Sequence, residues 1–160
     1  MKGFQFKIDG DWAHFKKPET NNNPLSHDLI PKTALIGMIG AVLGIEREKM
    51  KSLFPQLSED LLYGVELLKP VKKASCGFTS HTAINPTAIK SPKAFEMLRD
   101  VSYKVCVGLY SERSQSIFDD FQNAILEGYA IYDPYLGIAN CPAELTFISQ
   151  GEFTMMGNGD

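Results

Sequence analysis

Apolar and polar positions alternate with period two from Phe4 to Ile8, and apolar character resumes from Trp12 to Phe15 after Asp9-Gly10-Asp11. This pattern predicts a long first strand with a break or bulge at Gly10. Positions 16–30 are polar and Asn-rich and predict a loop. Pro31 suits a first helical turn, with Asp28 upstream as its cap, and the chain to Ile45 is apolar nearly all round, which predicts a buried helix. Gly37, Gly40, Ala41 and Gly44 fall on one face of that helix. Each interior glycine costs ~1 kcal/mol relative to alanine, so the stripe is expected to allow close packing on a sheet.

Glu46 to Leu62 reads as an amphipathic connector interrupted by Pro55, and Tyr63 to Lys73 as an edge strand. Ala74 to Leu98 is an excursion too long to be idle in a small domain, and Phe78, Thr79, Thr82, Ile84 and Ile89 give it the character of a protruding hairpin. Arg99 to Tyr110 alternates as a strand. Ser111 to Tyr129 is an amphipathic helix burying Ile117, Phe118, Phe121, Ile125 and Leu126. Asp133 to Gly137 is a turn, Ala143 to Phe153 a final strand, and Thr154 to Asp160 a frayed tail. The order strand, helix, strand, excursion, strand, helix, strand is that of a ferredoxin-like βαββαβ α+β fold. It predicts a four-stranded antiparallel sheet with two helices on one face and a hairpin thumb within 74–98, all in one domain over 1–153. The open sheet face of such folds often hosts RNA.

With 160 residues the chain makes one domain with a sizeable core. Cys76, Cys106 and Cys141 are an odd, scattered set, which argues against a zinc ribbon or disulfide framework and for a reducing compartment. The N-terminus enters a strand directly, with no signal-peptide pattern, and the longest apolar stretch falls short of a membrane span. These features predict a cytoplasmic protein. The net charge of −3 hides a polarity. All 16 basic residues lie between Lys2 and Arg113 against 12 acids, whereas seven acids and no base follow Ser114. A chain so divided can present a basic face although its total is acidic.

No metal-ligand cluster, Walker loop or dinucleotide fingerprint is visible, and no cofactor is expected. A polar, basic set instead surrounds the first helix and the excursion. Lys16, Lys17, Lys32, Lys90, Lys93 and Arg99 suit phosphates; Thr20, Asn21, Asn22, Asn23, Thr33 and His81 add hydrogen-bonding groups for sugar, base and phosphate. Lys32 and Thr33 also stand in the first helical turn, where free N–H groups attract anions.

Phe15-Lys16-Lys17-Pro18, the Asn-rich loop and Ile30-Pro31-Lys32-Thr33-Ala34-Leu35-Ile36-Gly37-Met38-Ile39-Gly40-Ala41 resemble the N-terminal signature of the Cas-five family of CRISPR-associated RAMP proteins, in its type I-B form. Tyr132-Asp133-Pro134-Tyr135-Leu136-Gly137-Ile138-Ala139 resembles that family's turn before the last core strand. The resemblance implies a subunit of the Cascade interference complex that caps the 5′ handle of the guide RNA (crRNA) and contacts the backbone and large subunits. It places the handle-binding loop at Lys16 to Lys32 and the thumb within Ala74 to Leu98. It also implies a smaller C-terminal lobe, which a chain stopping at Asp160 is expected to lack. Two alternatives stand beside a non-catalytic subunit. One is a metal-independent endoribonuclease of repeat RNA, as in the type I-C branch, using His81, Lys90 or Lys93 and a tyrosine. The other is a shortened decoy that inhibits Cascade assembly.

Overall fold

The structure is a computed structural model that describes residues 1–20, 22–81 and 90–154, with only the backbone of Ser80, His81, Lys90 and Ser91. Asn21, the hairpin tip at 82–89 and most of the tail read as frayed, 155–160, lie outside the described residues. The elements are β1 (Lys2–Ala13), α1 (Lys32–Leu43), α2 (Arg47–Asp60), β2 (Leu61–Leu67), β3 (Lys73–His81), β4 (Lys90–Leu109), α3 (Gln115–Glu127) and β5 (Glu144–Glu152).

The strands form one antiparallel sheet in the order β2-β4-β1-β5, with β3 also paired to β4. The four-strand path is the expected ferredoxin-like one. β4 differs from the sequence expectation, because strand and excursion are a single 20-residue element. At ~3.3 Å per residue it is roughly 65 Å long. Its inner half pairs β1 and β2; its outer half pairs β3 from Lys73↔Leu98 to His81↔Lys90. Leu98 has Ala13 on one side and Lys73 on the other, so β3 continues the edge that β2 leaves. Leu68 N–H to Ser102 O and Arg99 N–H to Lys72 O carry the ladder across the gap. Asp100, at φ 51°, takes up the irregularity there.

The first strand is not broken at Gly10, whose register with β4 is continuous with the rest. The bulge is instead on β5, where Ile148 stands unpaired between Gln5↔Ser149 and Phe6↔Phe147. A Cβ on Gly10 would lie 2.4 Å from Leu136 Cδ1, so the bare backbone is where the fully buried Leu136 docks on β1.

A third helix also departs from expectation: 47–60 is helical through Pro55. Proline removes one i−4 hydrogen bond, but Leu57 is fully buried and Leu53 and Phe54 pack against the core, which outweighs that loss. Pro31 is the N-cap of α1 rather than its first residue, and no side chain caps this end. Asp28, expected to cap it, pairs with Lys73 Nζ at 3.0 Å. Gly44, at φ 68°, ends the helix.

Phe4, Phe6 and Ile8 of β1 and Tyr103, Val105 and Val107 of β4 meet Leu35, Ile36 and Ile39 of α1 and Phe118 and Phe121 of α3. Phe121 meets Phe6 edge-on at 5.7 Å and Phe4 at 5.8 Å. Leu126, expected inside, is exposed. Phe121→Ala should cost about 3–5 kcal/mol by opening a cavity among these rings. Urea denaturation checks this; a loss under 1 kcal/mol would be inconsistent with the packing.

Asp60 ties α2 to the start of α3. Its nearly inaccessible carboxylate accepts from Arg113 Nε at 3.0 Å, Arg113 Nη2 at 2.7 Å and the Ser114 hydroxyl. The Arg113 hydrogen bonds hold the carboxyl below its ordinary value against the opposing effect of burial. A depressed carboxyl contributes stability above the unfolded value of ~3.9 and loses it as pH falls through the folded one. Unfolding midpoints should therefore decline below about pH 4, and Asp60→Asn should flatten that decline in urea titrations at several pH values.

Candidate nucleic-acid interface

After β1 the chain makes a narrow ribbon. Lys17 N–H donates to Leu25 O and His27 N–H to Phe15 O, both at 2.8 Å, around a Lys16↔Ser26 bridge. Thr20 builds the turn: its hydroxyl donates to Lys17 O at 2.8 Å and accepts from Leu25 N–H at 3.1 Å. Asn22 and Asn23 are exposed at the tip.

This ribbon seals the edge of β4 that β1 vacates. Glu96 N–H donates to Pro24 O at 2.9 Å, and Glu96 O accepts from His14 Nδ1 at 2.7 Å. The Glu96 carboxylate accepts Ser26 N–H at 3.2 Å and pairs with Lys73 at 3.5 Å. Tyr103 OH donates to Asp28 O at 2.8 Å, fixing the return toward α1. The loop is thus held in one position beside the root of the arm formed by β3 and the outer half of β4.

The predicted residues fall into separate groups. Lys16 and Thr33 are exposed and line one cavity of about 320 Å3 between the first turns of α1, the exit of β1 and residues 135–138. Lys17 is half-buried alongside. Lys32 has another partner: its ammonium donates to Ser58 O at the end of α2, and burial lowers its pKa. Arg99 is exposed at the root of the arm, its guanidinium 5.7 Å from the centre of the Trp12 ring. Lys93 is half-buried, opposite Phe78 and six residues farther out, roughly 20 Å away. His81 and Lys90 pair through their backbones where the described part of the arm ends. Lys16, Lys17, Lys93 and Arg99 make no ion pair with an acid among the described residues.

The expectation that the glycine stripe packs on the sheet is overturned. A Cβ on Gly37 would meet nothing within 4 Å, and one on Gly40 would meet Met50 of α2. Gly37 faces the cavity, which adjoins a broader groove past Ala41 to Met50, Phe54 and Tyr132. The far wall is the Pro134-Tyr135-Leu136-Gly137 turn, held by His14 N–H to Leu136 O at 3.1 Å and Leu136 N–H to Cys141 O at 2.7 Å. Gly137 has φ 89°, and a Cβ there would lie 1.8 Å from His14 O, so only glycine permits this approach. Sequence reasoning noted this turn without placing it in the site. Its partner, the exit of β1, is more than 120 residues away, and no local pattern reports that contact.

Among the described residues, the opposite sheet face offers no stacking platform. Gln5, Lys7 and Asp9 lie there beside Ser102, Lys104 and Cys106, and its cations are paired: Lys7 with Asp9 at 3.2 Å and Lys104 with Glu66 at 2.6 Å. Among the described residues no three His, Cys, Asp or Glu side chains converge as metal ligands, and no helix is long and apolar enough to cross a membrane.

A ferredoxin-like body, a β-hairpin arm and a loop pinned between them define an α+β protein of the RAMP type. Residues 3–155 match the family model described as CRISPR-associated protein (Cas_Cas5), and the chain belongs to that family. Solved structures share the fold at low identity. One described as a CRISPR RNA-guided surveillance complex superposes with TM-score 0.64 at 16% identity, covering 86% of this chain and 58% of that one. A Type III-B Cmr-beta complex, bound to cognate target RNA and AMPPnP, gives 0.63 at 11%, covering 96% and 66%. A crystal structure of a CRISPR-associated protein gives 0.55 at 16%, covering 92% and 66%. The chain thus spans about 58–66% of the length of these three. No curated protein matches the sequence significantly.

The two glycines of the cavity should respond oppositely. Gly37→Ala, in open space within a helix, should stabilise by about 1 kcal/mol. Gly137→Ala should destabilise by roughly 1–3 kcal/mol. Paired urea denaturation of the two variants checks both signs.

Proposed function

We propose that the protein is a non-catalytic RNA-binding subunit of a type I, I-B-like, CRISPR interference complex that holds the 5′ handle of the guide RNA. The observation that carries this reading is the placement of unpaired cations around one rigid loop. Lys16 lines the cavity at the uncapped start of α1, Lys17 follows it on the loop, and Arg99 and Lys93 lie along the arm, a row that a polyanion can follow. The family supports a CRISPR complex, and the surveillance and target-RNA assemblies among the structural neighbours support RNA and other complex subunits as partners; that these are the backbone and large subunits is part of the proposal.

A nuclease would need a general acid or base that reaches the proton it moves; the candidates for that role are His81 with Lys90 or Lys93, and the side chains of His81 and Lys90 lie outside the described residues.

Labelled guide RNA should bind with an affinity that falls with salt, with a log–log slope of ~0.7 per neutralised phosphate. Lys16→Glu combined with Lys17→Glu should weaken binding at least about tenfold and reduce that slope by ~1.4. Native gels at several salt concentrations measure both, and a salt-independent affinity overturns the proposal. Cut repeat RNA on a denaturing gel, without added metal, overturns its non-catalytic part.

A further inference from the structure

We infer that the free edge of β2 pairs with the same edge of a second copy of this chain, antiparallel about a twofold axis at Gly64, and joins the two sheets into one. This goes beyond the RNA-binding reading and does not rest on it.

β2 is an outer strand of the sheet, and among the described residues its edge away from β4 has no backbone partner. Exposed edges are normally blunted by lysine, proline or a bulge, because their unpaired N–H and C=O groups recruit other strands. The other edges of this sheet carry such devices. β5 has its bulge at Ile148 and an acid at each end, and β3 begins with the exposed Lys73. β2, Leu61-Leu62-Tyr63-Gly64-Val65-Glu66-Leu67, has none of them. Its register with β4 runs unbroken, and its one charge, Glu66, is neutralised by Lys104 of the neighbouring strand.

The sequence of β2 is also self-complementary. A twofold axis at Gly64 sets Tyr63 opposite Val65 of the second copy, and Leu61 opposite Leu67. These four lie on the helix-covered face, since their β4 partners Val107, Val105, Leu109 and Tyr103 are core residues. Aromatic and β-branched side chains make favourable cross-strand pairs. Leu67, 43% exposed in the single chain, gains an apolar neighbour. On the other face Glu66 meets Leu62, so no like charges are opposed, and Gly64 meets Gly64. A Cβ on Gly64 would find nothing within 4 Å, so the centre of the strand is open to a second backbone.

The experiment uses the full chain without RNA, in sedimentation equilibrium over a range of concentrations. The mass should climb from 17.8 kDa toward twice that value between about 1 µM and 1 mM. Gly64→Lys places its side chain in open space in the single chain but sets two ammonium groups opposite one another in the dimer. It should weaken the dimer at least about tenfold and leave the far-UV circular dichroism of the dilute chain unchanged. Gly64→Glu should do the same. Mixing the two variants should restore the dimer, because an axis at Gly64 sets the two new charges directly opposite. A monomer at every concentration overturns the proposal and leaves the edge to a strand of another polypeptide. A dimer that Gly64→Lys leaves intact, or that the mixture fails to restore, overturns it as well.

Discussion

β4 hydrogen-bonds to three other strands, and most of the architecture follows from that one element. Its inner half is the centre of the sheet, flanked by β1 and β2, and contributes Tyr103, Val105 and Val107 to the core. Beyond Leu98 its outer half leaves the body with β3 as its only strand partner among the described residues. Because body and arm share one continuous backbone, the direction of the arm is set by the twist and register of the sheet. β1 ends at Ala13↔Leu98, and beyond that point β4 exposes unpaired backbone groups. Glu96 shows how they are satisfied, since Pro24 and His14 take its N–H and C=O. The loop of the candidate interface therefore lies where it does because a strand edge needs partners.

The same accounting explains α1. Its apolar side is buried by the sheet and α3, which offsets the poor helix propensity of its glycines. Its small-residue side is only partly covered: Met50 closes over Gly40, while Gly37 is left bare. The helix is thus stable as an element and open as a surface. Opposite it, Leu136 anchors the turn that forms the second wall, seated over Gly10 and fixed through Gly137. Three glycines far apart in sequence shape one cavity for different reasons.

Charge follows topology as well. The residues after Ser114, which carry acids and no base, form α3 and β5, and β5 is the sheet edge farthest from the arm. Lys16, Lys17, Lys93 and Arg99, without an ion pair among the described residues, lie on the loop and the arm, and Arg47, Lys49 and Lys72 are likewise unpaired on α2 and just before β3. A chain with a small negative total therefore separates its signs across the width of one sheet, which favours a polyanion on the arm side.

Periodicity determined what periodicity can report. The alternation at Phe4 to Ile8 and Val101 to Leu109 and the apolar stripe of α3 were legible because burial on one face imposes a repeat on the residues themselves. The motif from Phe15 to Ala41 was legible for the same local reason, and with the turn at Tyr132 to Ala139 it carried the family. Other features depended on contacts across the chain. Pro55 read as a break because the burial of Leu57 that holds α2 together is tertiary. Gly10 read as a break because its partner, Leu136, lies 126 residues away. Lys32 read as a phosphate ligand because nothing local shows that its ammonium reaches Ser58. The glycine stripe marked a face of the helix, but a helical repeat does not say what lies opposite. Only the folded chain decided that Gly37 faces a cavity and Gly40 a neighbouring helix, because those distances are set by how α2 and the 134–137 turn pack.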